Sequence, residues 1–69
     1  MKPYLVIFDI SYDSISSNLR NHETSLQTIW SEPDELPAKI ENARVLVNTE
    51  ADNEYSCFEV TVKQVVPLG

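Results

Sequence analysis

A single cysteine limits the ways in which this chain can be held in one fold. Cys57 has no second cysteine to pair with, so an internal disulfide and a cysteine-based zinc site are both excluded. A chain of 69 residues buries only roughly 60% of the surface that its unfolded form exposes. The sequence therefore predicts a single domain, residues 1–69, with one small core, and self-association is the remaining way to add stability. A lone thiol within an apolar stretch is typical of a small buried side chain and is compatible with a reducing, cytoplasmic environment.

The acidic residues are concentrated in one third of the sequence. Residues 32–54 hold seven of the eleven acids and two of the five bases, so they carry five of the six net negative charges. Nucleic-acid binding is driven by lysine and arginine, so this charge argues against direct contact with nucleic acid, and it also disfavours anionic membranes. We expect a protein partner with a basic surface, attracted by electrostatic complementarity. The alternative is that the acidity only keeps a small protein soluble.

The first ten residues predict a strand. Residues 4–10 (YLVIFDI) are rich in β-branched and aromatic side chains and are apolar on both faces, a pattern typical of a central strand covered on two sides. Alternation places Val6 and Phe8 on one face and Leu5 on the other. Asp9 is expected near the end of the strand, where it caps a turn or reaches solvent. The apolar run is too short to span a bilayer and lacks a signal-peptide cleavage site.

Residues 11–30 allow two interpretations. Apolar residues recur at helical spacing, but the many serine, asparagine and threonine residues compete with the backbone for hydrogen bonds and favour a loop. We predict a short helix that begins at Asp13 or Ser14, followed by a strand over residues 25–30. The rival interpretation is one helix over residues 14–30.

Residues 31–35 (SEPDE) predict the start of a helix. Ser31 is the N-cap candidate, Pro33 falls in the first turn, and three acids meet the positive end of the helix dipole. Because Pro37 weakens the first turns, the helix is expected to be short and to end near Asn42.

The remaining third of the chain predicts a hairpin. Residues 44–50 and 55–66 form its strands and residues 51–54 its turn, and the second strand alternates apolar with polar side chains from Phe58 to Lys63. The predicted fold class is therefore α+β, a small antiparallel β-sheet with one or two short helices.

Several classes of chemistry are disfavoured by the residue types present. No glycine precedes Gly69, which excludes a phosphate-binding loop of the P-loop or dinucleotide type, so no cofactor is predicted. His22 is the only imidazole and is expected to be a polar surface residue. Residues 50–54 lack the glycine and the distant glutamate of a calcium loop, so no metal site is predicted. We predict a protein that is not an enzyme and has no catalytic residue; a small enzyme that acts through Asp9 is a rival.

The candidate partner-binding residues are one aromatic anchor and two groups of acids. Tryptophan and tyrosine dominate interface energetics, so Trp30 is a candidate anchor, with core packing as the competing interpretation. The acids at the start of the predicted helix also stabilise it, because they meet the positive end of its dipole. The predicted partner-binding residues are Trp30, Glu32, Asp34, Glu35, Glu50, Asp52 and Glu54.

Two stretches carry a resemblance to a known class of proteins. Residues 29–36 (IWSEPDEL) run from a strand into an acid-capped helix, and residues 58–61 (FEVT) belong to the last strand. In these stretches the chain resembles the small acidic inhibitor proteins that lytic phages make against host enzymes such as RNA polymerase. The resemblance implies a phage or mobile-element inhibitor or regulator of a host nucleic-acid-handling protein, located in the host cytoplasm. The alternative function is a structural or assembly subunit that forms a homo-oligomer, such as a homodimer, through its hydrophobic strands.

Overall fold

The computed structural model describes residues 1–13, 20–55 and 57–69 as one layer of β-sheet with one helix packed on it. The elements in chain order are β1 (Lys2–Asp13), β2 (Arg20–Ser31), α1 (Leu36–Asp52) and β3 (Phe58–Pro67).

The three strands form an antiparallel sheet in the order β2-β1-β3. The pairing of β1 with β2 is regular from Lys2 opposite Ser31 to Asp13 opposite Arg20. The pairing of β1 with β3 shifts by one residue beside Ile7, which leaves an extra residue in β3, a β-bulge. The predicted fold class, α+β with a small antiparallel sheet, is confirmed, and the first strand is central as predicted.

The core lies between α1 and one face of the sheet. Alternation along β1 turns Val6 and Phe8 toward the helix, and both side chains are fully buried. The buried apolar residues are Val6, Phe8, Val47, Ala51 and Val60. A chain of this size allows only a small core, and here the core is confined to the part of the sheet that α1 covers.

The other face of the sheet is not covered by any described element, which corrects the prediction of a first strand covered on two sides. Leu5 and Ile7 lie on this face, half-buried among their neighbours in the sheet. The structure describes only one helix, and that helix packs on the opposite face. A strand that is apolar on both faces is therefore found here in a sheet of which the described elements cover only one face.

The predicted hairpin over residues 44–66 is wrong in its first half. Residues 44–50 continue α1, which ends at Asp52 and not at Asn42, while the second strand is found as β3 and pairs with β1. The missed signal is an apolar stripe at helical spacing, which packs on the sheet: Ile40, Ala43, Val47 and Ala51.

Residues 20–31 form a strand, so the rival interpretation of one helix over residues 14–30 is wrong. The predicted strand over residues 25–30 is confirmed, and it begins earlier, at Arg20. The predicted short helix is not found in the part of its segment that is described, because Asp13 belongs to β1 and residues 20–24 to β2; residues 14–19 lie outside the described residues.

The start of α1 also differs from the prediction. The N-cap position is Glu35, and Pro37, not Pro33, falls in the first turn. Ser31 is instead the last residue of β2, where it is fully buried and its hydroxyl donates a hydrogen bond of 2.7 Å to the carbonyl of Glu32. The acids of residues 32–35 therefore precede the helix, and its first turn contains none.

The molecule is long and thin. Its Cα atoms span 44 × 18 × 13 Å and give a radius of gyration of 13.5 Å, against roughly 11 Å for a compact chain of this length. The described part of the chain has no helix that is long and apolar enough to cross a membrane. A two-layer body of this shape leaves a large share of its sheet exposed.

Candidate functional site

The charges divide between the two sides of the sheet. We call the side that α1 covers, together with α1 and residues 32–35 and 53–55, the helix side, and the uncovered side the open face. Strand register and alternation assign each charged residue to one side. The helix side has eight acids and three bases: Glu23, Glu32, Asp34, Glu35, Glu41, Glu50, Asp52 and Glu54 with Lys2, Lys39 and Arg44. The open face has three acids and two bases: Asp9, Asp13 and Glu59 with Arg20 and Lys63. Five of the six net negative charges therefore lie on the helix side.

The acids before α1 are largely compensated. The carboxylate of Glu32 lies 2.9 Å from the amino terminus, whose hydrogen bond and positive charge lower the pKa of this carboxyl. Glu35 lies 3.8 Å from the ammonium group of Lys39. Asp34 has no ion-pair partner among the residues described. This end of the helix side therefore has little uncompensated charge.

The acid in the middle of α1 is held by its neighbour. Arg44 donates two hydrogen bonds to Glu41, of 2.6 and 3.0 Å, and the bonds lower the pKa of the Glu41 carboxyl. This pair is exposed on the helix and lies one turn apart along it.

The acids at the end of α1 are not compensated in the described structure. We call Glu50, Asp52 and Glu54 the C-terminal acidic group; all three are exposed, and the last turn of the helix contains no base. No ion pair to them is found within residues 1–13, 20–55 and 57–69. They also lie at the negative end of the helix dipole, which disfavours negative charge. Of the acids on the helix side, this group is therefore the one that we expect to attract a cation most strongly.

The predicted partner-binding residues do not form one patch. A helix of 17 residues is about 25 Å long, so the acids before α1 and the C-terminal acidic group lie at its opposite ends. Trp30 is 59% exposed and lies on the open face, opposite Pro3, while its carbonyl accepts a hydrogen bond from Lys39. The aromatic anchor and the acids therefore face different sides of the sheet.

Half of the open face is apolar. Leu26, 60% exposed, is opposite Ile7, and Val66 is opposite Leu5. We call this surface the open-face apolar patch; its residues are Leu5, Ile7, Leu26, Trp30 and Val66. The sequence identified Trp30 as a candidate anchor but not this patch, whose signal was the apolar side chains on both faces of β1.

The other half of the open face is polar and has a shallow depression of about 390 Å³, lined by Asp9, His22, Thr24, Thr61 and Lys63. Asp9 lies within the long strand and not near its end as predicted, and its carboxylate is 3.0 Å from Nδ1 of His22. An aspartate so placed orients the imidazole and leaves Nε2 free. Among the described contacts, no hydroxyl group bonds to that nitrogen, so the pair lacks the third member of a catalytic triad.

The far end of the open face is held by Arg20. Its guanidinium donates hydrogen bonds to the hydroxyl group of Ser11 and, at 3.1 Å, to the carboxylate of Asp13. Glu59 is 4.0 Å away. This cluster joins β2 to β1 and β3, which suits a structural role.

Two tyrosines fix the segment that follows α1. The rings of Tyr12 and Tyr55 stack with centroids 4.1 Å apart, and the Tyr55 hydroxyl donates a hydrogen bond of 2.6 Å to Glu23. That hydrogen bond, more than burial, raises the pKa of Tyr55. Cys57, predicted to be buried, is exposed because it lies in the turn just before β3.

Neither a metal site nor a relative identifies the function. The described residues contain no group of three His, Cys, Asp or Glu side chains placed to hold a metal ion. Comparison with protein-family profiles, with characterised proteins and with solved structures finds no match. Function is therefore inferred from the charge and the exposed surfaces alone.

Proposed function

We propose that this chain is a small acidic protein-binding module, not an enzyme, that captures a partner with a basic surface through its helix side. The observation that carries the proposal is the C-terminal acidic group. Glu50, Asp52 and Glu54 are exposed and unpaired among the described residues, at the helix end where negative charge is least favoured.

A cationic partner relieves this local repulsion. Glu50 lies in the last turn of α1 and Glu54 lies two residues beyond the end of the helix, so both negative charges are placed at the negative end of the helix dipole, where they are disfavoured. Lysine or arginine side chains of a partner supply the countercharge that the described chain does not. Electrostatic attraction of this kind also raises the rate of encounter and falls with salt.

The sharpest form of the proposal is inhibition of a nucleic-acid-handling protein. Such proteins have basic grooves that hold phosphates, and an acidic surface competes for the same groove. The acids before α1 add a second, weaker contact about 25 Å away along the helix. A phage or mobile-element origin, implied by the resemblance noted above, stays part of this proposal.

Affinity capture with matched baits tests the proposal. The baits are the native chain, the variant Glu50→Gln/Asp52→Asn, and the control Asp9→Asn/Glu59→Gln, which removes the same charge from the open face. Each bait is immobilised, exposed to a bacterial lysate and eluted in rising salt, and the eluted proteins are identified by mass spectrometry. A partner retained by the native chain and the control, lost by the first variant and released at moderate salt, supports the proposal.

The captured protein is then assayed for nucleic-acid binding in the presence of the native chain. Displacement of the nucleic acid is expected, and it should be weaker with Glu50→Gln/Asp52→Asn. A partner retained equally by all three baits, or retained regardless of salt, would contradict a role for the C-terminal acidic group.

A further inference from the structure

The open-face apolar patch is unusual for a sheet that faces water. An antiparallel sheet with one solvated face normally alternates apolar residues inside with polar residues outside. Here Leu26 and Trp30 of β2 are more than half exposed, Leu5 and Ile7 lie beside them on β1, and Val66 lies opposite Leu5 on β3. An apolar surface rimmed by polar residues marks an interaction site.

The charge of the open face suits a second copy of the chain. It has acids and bases in nearly equal number, with Arg20 and Lys63 beside Asp9, Asp13 and Glu59. Two such faces meet with little net repulsion. Two helix sides repel each other, because five net negative charges lie on each.

The area of the open face is sufficient for a weak dimer. Three strands of 12, 12 and 10 residues, with a rise of about 3.4 Å per residue and a spacing of about 4.8 Å, present roughly 560 Å² of flat area per copy, or roughly 1,100 Å² over two copies. Specific interfaces begin at about 1,000 to 1,200 Å² in total. The corrugation of the side chains adds to the flat area.

We propose that a second copy of this chain packs on the open face, apolar patch against apolar patch, to form a two-sheet sandwich. The two sheets would then lie about 10 Å apart, with both helices on the outside. The contact is isologous, since the same residues meet from both copies. Trp30 is the aromatic anchor of this contact, and each C-terminal acidic group stays accessible on the helix side.

The chain carries its own reporter for this test. Trp30 is the single tryptophan and lies within the proposed contact. Association of the purified chain is measured by sedimentation equilibrium, and tryptophan emission is recorded over the same concentrations. We expect a monomer–dimer equilibrium in the micromolar range, with emission that moves to shorter wavelength as the dimer forms, because the indole leaves water.

Matched variants locate the contact. Leu26→Lys places a charge in the patch and is expected to weaken association about tenfold or more. Leu46→Lys is the control, because Leu46 is 66% exposed on α1 and receives the same chemical change; it should leave association within twofold. Thr28→Lys, also exposed and on the open face, is the second test variant if Leu26→Lys does not fold. Far-UV circular dichroism of each variant shows whether the fold is kept.

Three results would overturn the proposal. They are a native chain that stays monomeric at all concentrations, association that Leu26→Lys and Thr28→Lys leave unchanged, and association that Leu46→Lys abolishes. Association unaffected by Leu26→Lys would indicate pairing through the free edge of β2 instead. The measurement uses the purified chain alone, so its outcome is independent of the proposed capture of a basic partner.

Discussion

The length of α1 can be tested with two valines in its second half that differ in burial. In the helix, Val47 is 2% exposed against the sheet, whereas Val45 is 49% exposed on the outer surface. In the hairpin that the sequence alone predicted, the two side chains would share one face of a strand. Val45→Ala and Val47→Ala therefore separate the two structures.

The expected magnitudes follow from burial. Val47→Ala removes two buried carbon groups, a loss of about 1.6 kcal/mol at about 0.8 kcal/mol each, to which the cavity adds. The better helix propensity of alanine offsets about 0.5 kcal/mol, so the net loss is about 1 to 2 kcal/mol. Val45→Ala loses about half as much burial and gains the same propensity, which leaves about 0.3 kcal/mol.

Thermal unfolding followed by circular dichroism measures both variants. At about 4 to 8 °C per kcal/mol for a domain of this size, Val47→Ala lowers the Tm by roughly 5 to 15 °C and Val45→Ala by about 2 °C or less. Equal shifts for the two variants, or a larger one for Val45→Ala, would refute the assignment of residues 44–52 to α1.

Three further predictions concern charge and titration. Glu50→Gln/Asp52→Asn should raise the Tm at low salt, because it removes negative charge from the negative end of the helix dipole. This gain in Tm should shrink in 0.5 M salt, where the Debye length is only about 4 Å and the charges are screened. The hydrogen bond to Glu23 raises the pKa of Tyr55, so the contribution of this bond to stability is fully present below the ordinary tyrosine pKa of about 10 and is lost as the pH rises further. Urea unfolding at pH 8 and pH 11 should therefore show a smaller fall in the free energy of unfolding for Tyr55→Phe than for the native chain. Asp9→Asn should leave the affinity-capture profile unchanged, and loss of the profile would favour the rival enzyme.

The strands with strong local patterns were predictable from the sequence. The β-branched run of β1 and the alternation of β3 are recognised without knowledge of their neighbours. The second half of α1 was not, because Val45 and Val47 favour a strand locally and the helix is stabilised by packing of the Val47 stripe on the sheet. In this segment the packing of the helix on the sheet outweighs the local preference for a strand.

The surfaces depend on information that the sequence does not hold locally. The pairing of Asp9 with His22 requires the register of the β1–β2 hairpin, which fixes residues 13 positions apart. The open-face apolar patch requires knowledge of which face α1 covers. The regional acidity was visible in the sequence, but its division between two ends of a helix was not.

The central position of β1 has a consequence for the order of folding. Its partner β2 is the next element in the chain, and hairpins form in about 1 to 10 μs. The other edge of β1 is filled by β3, which begins 27 residues after the end of β2. This pairing is slower, because the chain between the strands must first lose conformational entropy. Until β3 pairs, one edge of β1 keeps its backbone N–H and C=O groups open. Refolding therefore passes through a stage that favours edge-to-edge aggregation, and a higher protein concentration during refolding increases it.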